Sequence, residues 1–199
     1  CIRDRFKNDT LPLPDNFYDD YKNRGSAAKE QDMEIKNMYM SFDMKLDPNT
    51  FVDSTETGTG GSKTWDAVYD WKYSYNQMSE EQKKEWDKHY QPISKAFYES
   101  SYSDSAFAEW KYQRYMKDYL RCIVSVDENL GRMIEYLKNT GEWDNTLVIY
   151  TSDQGFFLGE HGWYDKRFMY EESLITPFIM KLPNRDSSLV NSNLVMNLD

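Results

Sequence analysis

The segment from residue 151 to residue 167 concentrates side chains whose types and spacing could support chemistry. Asp153 and Gln154 offer a carboxylate and an amide oxygen on adjacent residues, and hard divalent cations such as Ca²⁺ prefer such oxygen donors. Lys166 and Arg167 follow with positive charges that could meet an oxyanion. The pattern therefore predicts a combined metal and anion site.

Each of these residues also has a purely structural interpretation. An Asp-Gln-Gly sequence after a strand is commonly a turn closed by an aspartate hydrogen bond. A lone histidine such as His161 is commonly satisfied within a loop or a core, and Trp163 would ordinarily be a packing residue. Lys166 and Arg167 side by side are typical of a solvated surface. The residues alone leave both interpretations open.

The hydrophobic pattern predicts the elements that would position this segment. Apolar residues recur at helical spacing from Asp104 onward, and Gly141 fits as the helix stop. The runs 147–150 and 177–180 are short and apolar and predict strands, the first of them buried. This order of elements predicts an α/β fold with a parallel or mixed sheet. Asp153 then follows the carboxyl end of a strand, where open α/β sheets bind ligands.

The rest of the chain has weaker signals. Prolines within residues 11–21 favour an extended path, and residues 26–42 have a helix-like pattern. The glycine- and threonine-rich stretch 54–64 predicts a loop. Residues 79–90 predict a second helix, which Pro92 is expected to end or kink.

Composition excludes several classes of function. The chain has 34 acidic and 24 basic side chains and a net charge of −10. This charge argues against nucleic-acid binding, which needs clustered lysine and arginine, and against a membrane partner rich in anionic lipid. No apolar run approaches the roughly 18 residues that indicate a membrane-spanning helix. Aromatic residues make up 16% of the chain, too many for a disordered acidic polypeptide.

Short motifs near the site segment occur in a fixed order. They are Asp-Gln-Gly at 153–155, Gly-Glu-His-Gly at 159–162, Trp-Tyr-Asp-Lys-Arg at 163–167, Tyr-Glu-Glu-Ser at 170–173 and Thr-Pro at 176–177. In this order they resemble the C-terminal half of the type I sulfatase catalytic domain, from the calcium-dependent, formylglycine-using family of the alkaline phosphatase superfamily. Residues 11–21 and 24–28 resemble the sulfatases that act on 6-sulfated N-acetylglucosamine and on mucin.

The resemblance implies a fold and a set of domain bounds. The fold is α/β, the C-terminal part of an alkaline-phosphatase-like sandwich of helices around a central mixed sheet, and it is incomplete in this chain. Residues 1–199 form one partial catalytic domain of three stretches: an extended lead-in and helix (1–53), a loop and helical insertion (54–103), and the long helix, strands and site loop (104–199).

The resemblance also implies roles for individual residues. Asp153 and Gln154 match calcium ligands of the family, and Lys166 matches the catalytic lysine that grips the sulfate. A cation and an ammonium group together would stabilise charge on a transferring sulfuryl group. The implied substrate-binding residues are His161, Trp163 and Arg167.

The family nucleophile has no counterpart in this sequence. Formylglycine is made from a Cys/Ser-x-Pro/Ala-x-Arg motif, and the stretch that begins at Cys1 has Arg3 at the proline or alanine position. Cys122 lacks the arginine of the motif and is expected to be a reduced, inert thiol. Formylglycine and the other N-terminal ligands would come from a missing N-terminal half, so the chain alone is predicted to be inactive.

Together these features predict a sulfuric ester hydrolase that removes sulfate from a sulfated carbohydrate, such as 6-sulfated N-acetylglucosamine. The expected cofactor is Ca²⁺, and the expected partners are a sulfated glycan and the missing half of the domain. Export from the cytoplasm is expected by resemblance. Two alternatives stay open: a phosphodiesterase or phosphonate monoester hydrolase of the same superfamily, and a non-catalytic carbohydrate-binding relic.

Overall fold

A computed structural model describes residues 4–50, 67–185, 187–193 and 196. The chain divides into two compact units. The first comprises Cys1–Arg121 and Leu158–Tyr164, and the second comprises Cys122–Phe157 and Asp165–Asp199. The predicted loop at 54–64 lies outside the described residues, so the structure does not test it.

Helices dominate the first unit, which contains α1 (Ser26–Glu30), α2 (Ala67–Asn76), α3 (Glu80–Tyr98) and the first part of α4 (Asp104–Asn139). The start of α3 is a capping box: the Ser79 hydroxyl accepts the Gln82 N–H at 3.3 Å, and the Gln82 amide oxygen accepts the Ser79 N–H at 2.9 Å. Pro92 does not end this helix. The residues beyond it include Ile93 and Phe97, which pack against the core, and their burial offsets one lost backbone hydrogen bond.

The single helix predicted over residues 26–42 is wrong. The structure has only the five residues of α1 and a 3₁₀ turn at Ile35–Asn37. The buried Lys111 ammonium group donates hydrogen bonds to the carbonyl oxygens of Lys36 at 2.7 Å and Met38 at 2.6 Å. An α-helix would use those carbonyls internally, so this tertiary contact overrides the local helical pattern.

The hydrophobic core of the first unit forms where α4 packs against the irregular chain before α2. One face of α4 contributes core residues at four-residue spacing. The stretch 35–46, which includes three buried methionines, supplies most of the others. The buried core residues are Phe17, Ile35, Met38, Met40, Met44, Leu46, Ala108, Tyr112 and Met116. Gln113 of α4 hydrogen-bonds both the N–H (2.9 Å) and the carbonyl (2.7 Å) of Leu11. Residues 15–18 form a turn, which interrupts the extended path predicted for residues 11–21.

The second unit begins with the remainder of α4, which ends as predicted beside Gly141. Gly141 has φ +75°, its N–H donates to the Lys138 carbonyl at 3.2 Å, and the Glu142 N–H donates to the Leu137 carbonyl at 2.9 Å. These two bonds form a Schellman motif, which satisfies carbonyls at the helix end. The second unit also contains β1 (Val148–Thr151), α5 (Glu171–Leu174) and β4 (Phe178–Lys181). The short strands β2 (Phe157–Leu158) and β3 (Tyr164–Asp165) each have one residue in either unit.

Two small sheets are present among the described residues. Strands β1 and β4 pair antiparallel from Val148 opposite Lys181 to Thr151 opposite Phe178, and β2 pairs with β3. The sequence predicts a parallel or mixed sheet. The antiparallel pairing of β1 and β4 is compatible with a mixed sheet but not with an all-parallel one. The α/β composition and both long strands agree with the sequence prediction.

The prediction that β1 is buried is wrong for the described part of the second unit. Ile149 is 50% exposed in β1, and Phe178 and Ile179 are 50% and 64% exposed in β4. A two-stranded sheet has too little surface of its own to cover side chains on both faces. Within the described residues, no helix is both long enough and apolar enough to cross a bilayer.

Candidate functional site

Asp153 and Gln154 lie in the turn that follows β1. The Ser152 hydroxyl organises this turn, since it donates to the Gln154 carbonyl at 2.8 Å and lies 3.4 Å from the Gln154 backbone nitrogen that donates to it. The Asp153 side chain is left exposed, and Gln154 is half-buried. The Ser152 hydroxyl therefore closes the turn, and it also lies 3.5 Å from Asp153 Oδ1.

Gly155 anchors this turn against α5. Its N–H donates to the Ser173 carbonyl at 3.0 Å, and a Cβ at this position would lie 2.2 Å from the Glu172 carbonyl oxygen and 2.8 Å from that of Ile175. No side chain fits so close to backbone oxygen without displacing it. The glycine therefore fixes the position of the residues immediately before it.

Lys166 and Arg167 follow β3, and both are exposed. The Arg167 guanidinium donates to the Asp165 carboxylate at 2.5 Å, which partly neutralises its charge. Lys166 forms no ion pair with a carboxylate within the part of the chain that the structure describes. Of these two cations, Lys166 is therefore the better placed to meet an anion.

His161 occupies a tight loop of the first unit, between Gly159 and Gly162. The φ values are +111° for Gly159, +58° for His161 and +71° for Gly162. His161, although not a glycine, therefore adopts the left-handed conformation. A Cβ on Gly159 would lie 2.5 Å from the Tyr112 ring, and a Cβ on Gly162 would lie 2.8 Å from the Phe17 carbonyl oxygen. The loop is thus pressed against the core of its unit.

The His161 ring is held by a carboxylate near the start of the chain. Its Nδ1 lies 2.6 Å from Asp19 Oδ2, and Arg24 donates to that same oxygen at 2.7 Å. The Tyr21 N–H donates to the other Asp19 oxygen at 2.9 Å, and Asn16 Nδ2 lies 3.3 Å from His161 Nε2. We refer to Asn16, Asp19, Arg24 and His161 as the histidine clamp.

Charge and hydrogen bonding both stabilise the ionised carboxylate of the clamp. Burial by itself would raise the pKa of Asp19. The hydrogen bonds from His161 and from the Tyr21 N–H, together with the charge of Arg24, outweigh burial and hold that pKa below its usual range. Sequence reasoning missed Asp19 and Arg24 as partners of His161, although both lie in or beside the family-like stretch at 11–21 and 24–28.

Trp163 is fully buried in the same unit. Its ring stacks on Tyr21 with centroids 5.4 Å apart, and the Tyr21 hydroxyl donates to the His161 carbonyl at 2.7 Å. Burial, and next the negative charge of Glu34, raise the pKa of Tyr21, which therefore remains a neutral donor. This burial supports the packing interpretation of Trp163 over a contact with a sugar.

The predicted site residues are distributed between the two units. Asp153, Gln154, Lys166 and Arg167 belong to the second unit, and His161 and Trp163 belong to the first. Among the residues described, no group of three or more histidine, cysteine or acidic side chains could hold a metal ion. Asp153 and Gln154 have the right donor chemistry for Ca²⁺, which takes about six to eight oxygen ligands, but they supply only two of them.

Comparison with known proteins identifies the class to which this fold and these residues belong. The family model described as Sulfatase matches residues 48–199, so the chain belongs to the sulfatase family. An N-acetylglucosamine-6-O-sulfatase from Bacteroides thetaiotaomicron is 41% identical over 196 residues, which are 98% of this chain and 33% of that protein. An extracellular sulfatase SULF-1 homolog from Drosophila melanogaster is 38% identical over 85 residues, which are 42% of this chain and 8% of that protein.

A solved structure supports the same conclusion. The structure of BT4656 in complex with its substrate D-glucosamine-2-N,6-O-disulfate matches with a TM-score of 0.74 and 42% sequence identity. The match covers 89% of this chain and 34% of that one. The chain thus spans about a third of the length of the Bacteroides thetaiotaomicron sulfatase and of BT4656. It shares the alkaline-phosphatase-like fold of sulfatases.

Proposed function

We propose that this chain is part of a sulfuric ester hydrolase that removes the 6-O-sulfate from N-acetylglucosamine or glucosamine units of a glycan. The observation that carries the proposal is the alignment of nearly the whole chain with the N-acetylglucosamine-6-O-sulfatase of Bacteroides thetaiotaomicron. Sulfate monoesters carry a negative charge, and the exposed ammonium group of Lys166 suits such a ligand.

In this proposal Lys166 binds the sulfate oxygens during transfer. Its backbone directly follows strand β3, which sets the starting point of the side chain. An ammonium group that is already in position stabilises the negative charge that develops on the transferring group and on the leaving oxygen. The neighbouring Arg167 is proposed to bind the substrate, and its hydrogen bond to Asp165 restrains the guanidinium group.

Asp153 and Gln154 are proposed to hold Ca²⁺ through their side-chain oxygens. Bound calcium would supply positive charge against the sulfate oxygens. Gly155 supports this assignment, because its close approach to α5 leaves the turn no freedom to shift and so keeps the two ligands in position. The remaining oxygen ligands would come from the two thirds of the relatives' length that lie outside the match.

His161 is proposed to contact the substrate, with Asp19 setting the orientation of its ring. The same assignment for Trp163 is weaker, because that ring is fully buried. Export, as a periplasmic, secreted or cell-surface protein, is also proposed. Its support is the similarity to a relative that is named an extracellular sulfatase.

The test uses the complete gene product that contains this chain, assayed for sulfate release from N-acetylglucosamine 6-sulfate. Lys166→Ala and Asp153→Ala should each lower kcat/KM by at least about a hundredfold, the cost typical of removing a transition-state charge contact. Lys84→Ala, which removes an exposed lysine of α3, is the matched control and should leave kcat/KM unchanged. Normal turnover in Lys166→Ala would refute the proposed role.

A second arm separates the alternatives. A phosphodiester and a phosphonate monoester are assayed beside the sulfated sugar, with and without added Ca²⁺. Calcium-dependent preference for the sulfate ester supports the proposal, whereas preference for a phosphorus ester would assign the protein to the alternative hydrolases. Sugar binding without any turnover by the complete gene product would favour the carbohydrate-binding relic. The 199-residue chain alone should release no sulfate.

A further inference from the structure

A pocket of about 530 Å³ opens between α3 and the first part of α4, wholly within the first unit. We refer to it as the α3–α4 pocket. Its volume falls within the range of small-molecule sites, about 300–1,000 Å³. None of the residues assigned above to calcium or sulfate lines it. Any ligand of this pocket is therefore recognised by residues that the proposed reaction does not use.

The lining of the α3–α4 pocket is basic, in contrast to the chain as a whole. Two acidic side chains, Asp4 and Glu85, accompany five basic ones: Lys7, Lys88, Arg114, Lys117 and Arg121. The whole chain has a net charge of −10, so this concentration of positive charge is a local feature. A concave surface of one sign of charge attracts ions of the opposite sign.

Two of the arginines are buried, and a single carboxylate compensates them. Asp118 Oδ1 lies 2.6 Å from Arg121, and its Oδ2 lies 3.4 Å from Arg114 and 2.7 Å from Lys45. Three cations thus share one anion. Burial, followed by the charges of Arg114 and Arg121, lowers the pKa of Lys117, a further sign of positive potential at this position.

Arg114 lines the pocket with a largely buried side chain, one of whose donors is unsatisfied within the described part of the chain. Its side chain is 8% exposed and its Nη2 hydrogen-bonds Asp118, but its buried Nε has no hydrogen-bond partner among the residues that the structure describes. A buried donor without a partner costs about 1–3 kcal/mol, so such groups normally meet an acceptor. Guanidinium N–H groups are matched best by sulfate, phosphate or carboxylate oxygens.

Part of the pocket lining is aromatic, and it includes Trp110, one turn before Arg114 on α4. The Phe97 ring lies 4.6 Å from that of Trp110 and stacks on Tyr102 at 5.5 Å, and all three rings line the pocket. Aromatic faces bind the apolar face of a ring-shaped ligand. The carboxylates of Asp4 and Glu85 add acceptors for hydroxyl groups, which sugars have in number.

From this arrangement we propose that the α3–α4 pocket binds an anionic sugar, a pyranose ring bearing a sulfate or carboxylate group. The anion meets the lysines of the lining, the positive charge of Arg114 adds to their attraction, and the sugar ring lies against the aromatic side chains. This binding is independent of the proposed hydrolysis, because it uses none of the residues assigned to that reaction.

The test titrates the 199-residue chain with glucose 6-sulfate, glucuronate, inorganic sulfate and neutral glucose. Binding is measured by calorimetry and by the NMR signals of the arginine Nε–H groups. Glucose 6-sulfate or glucuronate should bind and shift one arginine Nε–H signal, and these two probes show whether sulfate or carboxylate is preferred. Lys88→Ala should weaken binding about tenfold, in line with loss of one charge-assisted hydrogen bond. Lys84→Ala, one turn earlier on the exposed surface of α3, is the matched control and should not weaken it.

Four results would overturn the proposal, and the first three concern the relative strength of binding. They are equal binding of neutral glucose, equal binding of inorganic sulfate alone, and unchanged affinity in both Lys88→Ala and Lys117→Ala. Absence of binding by both anionic sugars would do the same. Arg114→Lys provides a second check that keeps the buried charge, and it should remove the shifted Nε–H signal while the chain stays folded by circular dichroism.

Discussion

The histidine clamp predicts that Asp19 stabilises the first unit far more than its neighbour Asp20. Asp19 accepts hydrogen bonds at 2.6 Å from His161, 2.7 Å from Arg24 and 2.9 Å from the Tyr21 N–H, and its side chain is only 15% exposed. Asp20 is 56% exposed, and among the described residues it pairs only with the exposed Lys22. The two adjacent aspartates therefore form a matched test and control.

The expected magnitude follows from what Asp19→Ala leaves behind. Hydrogen bonds to a charged group contribute about 1.5–3 kcal/mol each, but they are not additive. Arg24 is 31% exposed and can be rehydrated, whereas the buried His161 cannot be rehydrated fully. We therefore expect a loss of about 2–3 kcal/mol in the free energy of unfolding. Asp20→Ala should give no measurable change, because exposed pairs contribute little.

The pH dependence gives an independent check on the cause. Since the native pKa of Asp19 lies below its ordinary value of 3.8, the carboxylate stabilises the fold above that value. The stabilisation is lost as pH falls through the native pKa. The difference in unfolding free energy between wild type and Asp19→Ala should therefore be full at pH 7 and decrease as pH falls through the native pKa of Asp19.

The assay is urea unfolding of the 199-residue chain, followed by tryptophan fluorescence, because the buried Trp163 lies beside the clamp. Unfolding is measured at pH 7 and at several lower values. Equal midpoints for Asp19→Ala and Asp20→Ala at pH 7 would refute the argument. A difference that persists unchanged in acid would show that the carboxylate charge is not its source.

Three further predictions concern stability and use the same unfolding measurement. Gly155→Ala should destabilise the fold by at least about 1 kcal/mol, because the new Cβ would lie 2.2 Å from a carbonyl oxygen. Gly131→Ala, in α4, should instead stabilise the fold by about 0.5–1 kcal/mol, because a Cβ there meets no atom within 4 Å. Asp118→Asn should cost about 3–5 kcal/mol, since it leaves the buried Arg114 without its counter-charge, and a neutral result would mean that water compensates that charge. Trp163→Ala should cost about 3–5 kcal/mol from cavity formation, and a loss below 1 kcal/mol would contradict its burial.

Several features of this chain could be predicted from sequence because their causes are local. The limits of α4, the capping box at Ser79 and the stop at Gly141 depend on residues within a few positions of each other. The strands β1 and β4 were predictable from short apolar runs between turn residues. Family membership also lies in the sequence, since the motifs between residues 153 and 177 occur in a fixed order.

Only the tertiary structure decided which residues meet. The stretch 26–42 has a helical pattern, yet contacts with Lys111, more than seventy residues away, hold it as an irregular chain. Asp19 and His161 are 142 residues apart, so no local pattern could pair them or separate Asp19 from Asp20. Periodicity and caps act over one helical turn or a few strand residues, whereas partners, burial and the α3–α4 pocket arise only when distant segments pack together.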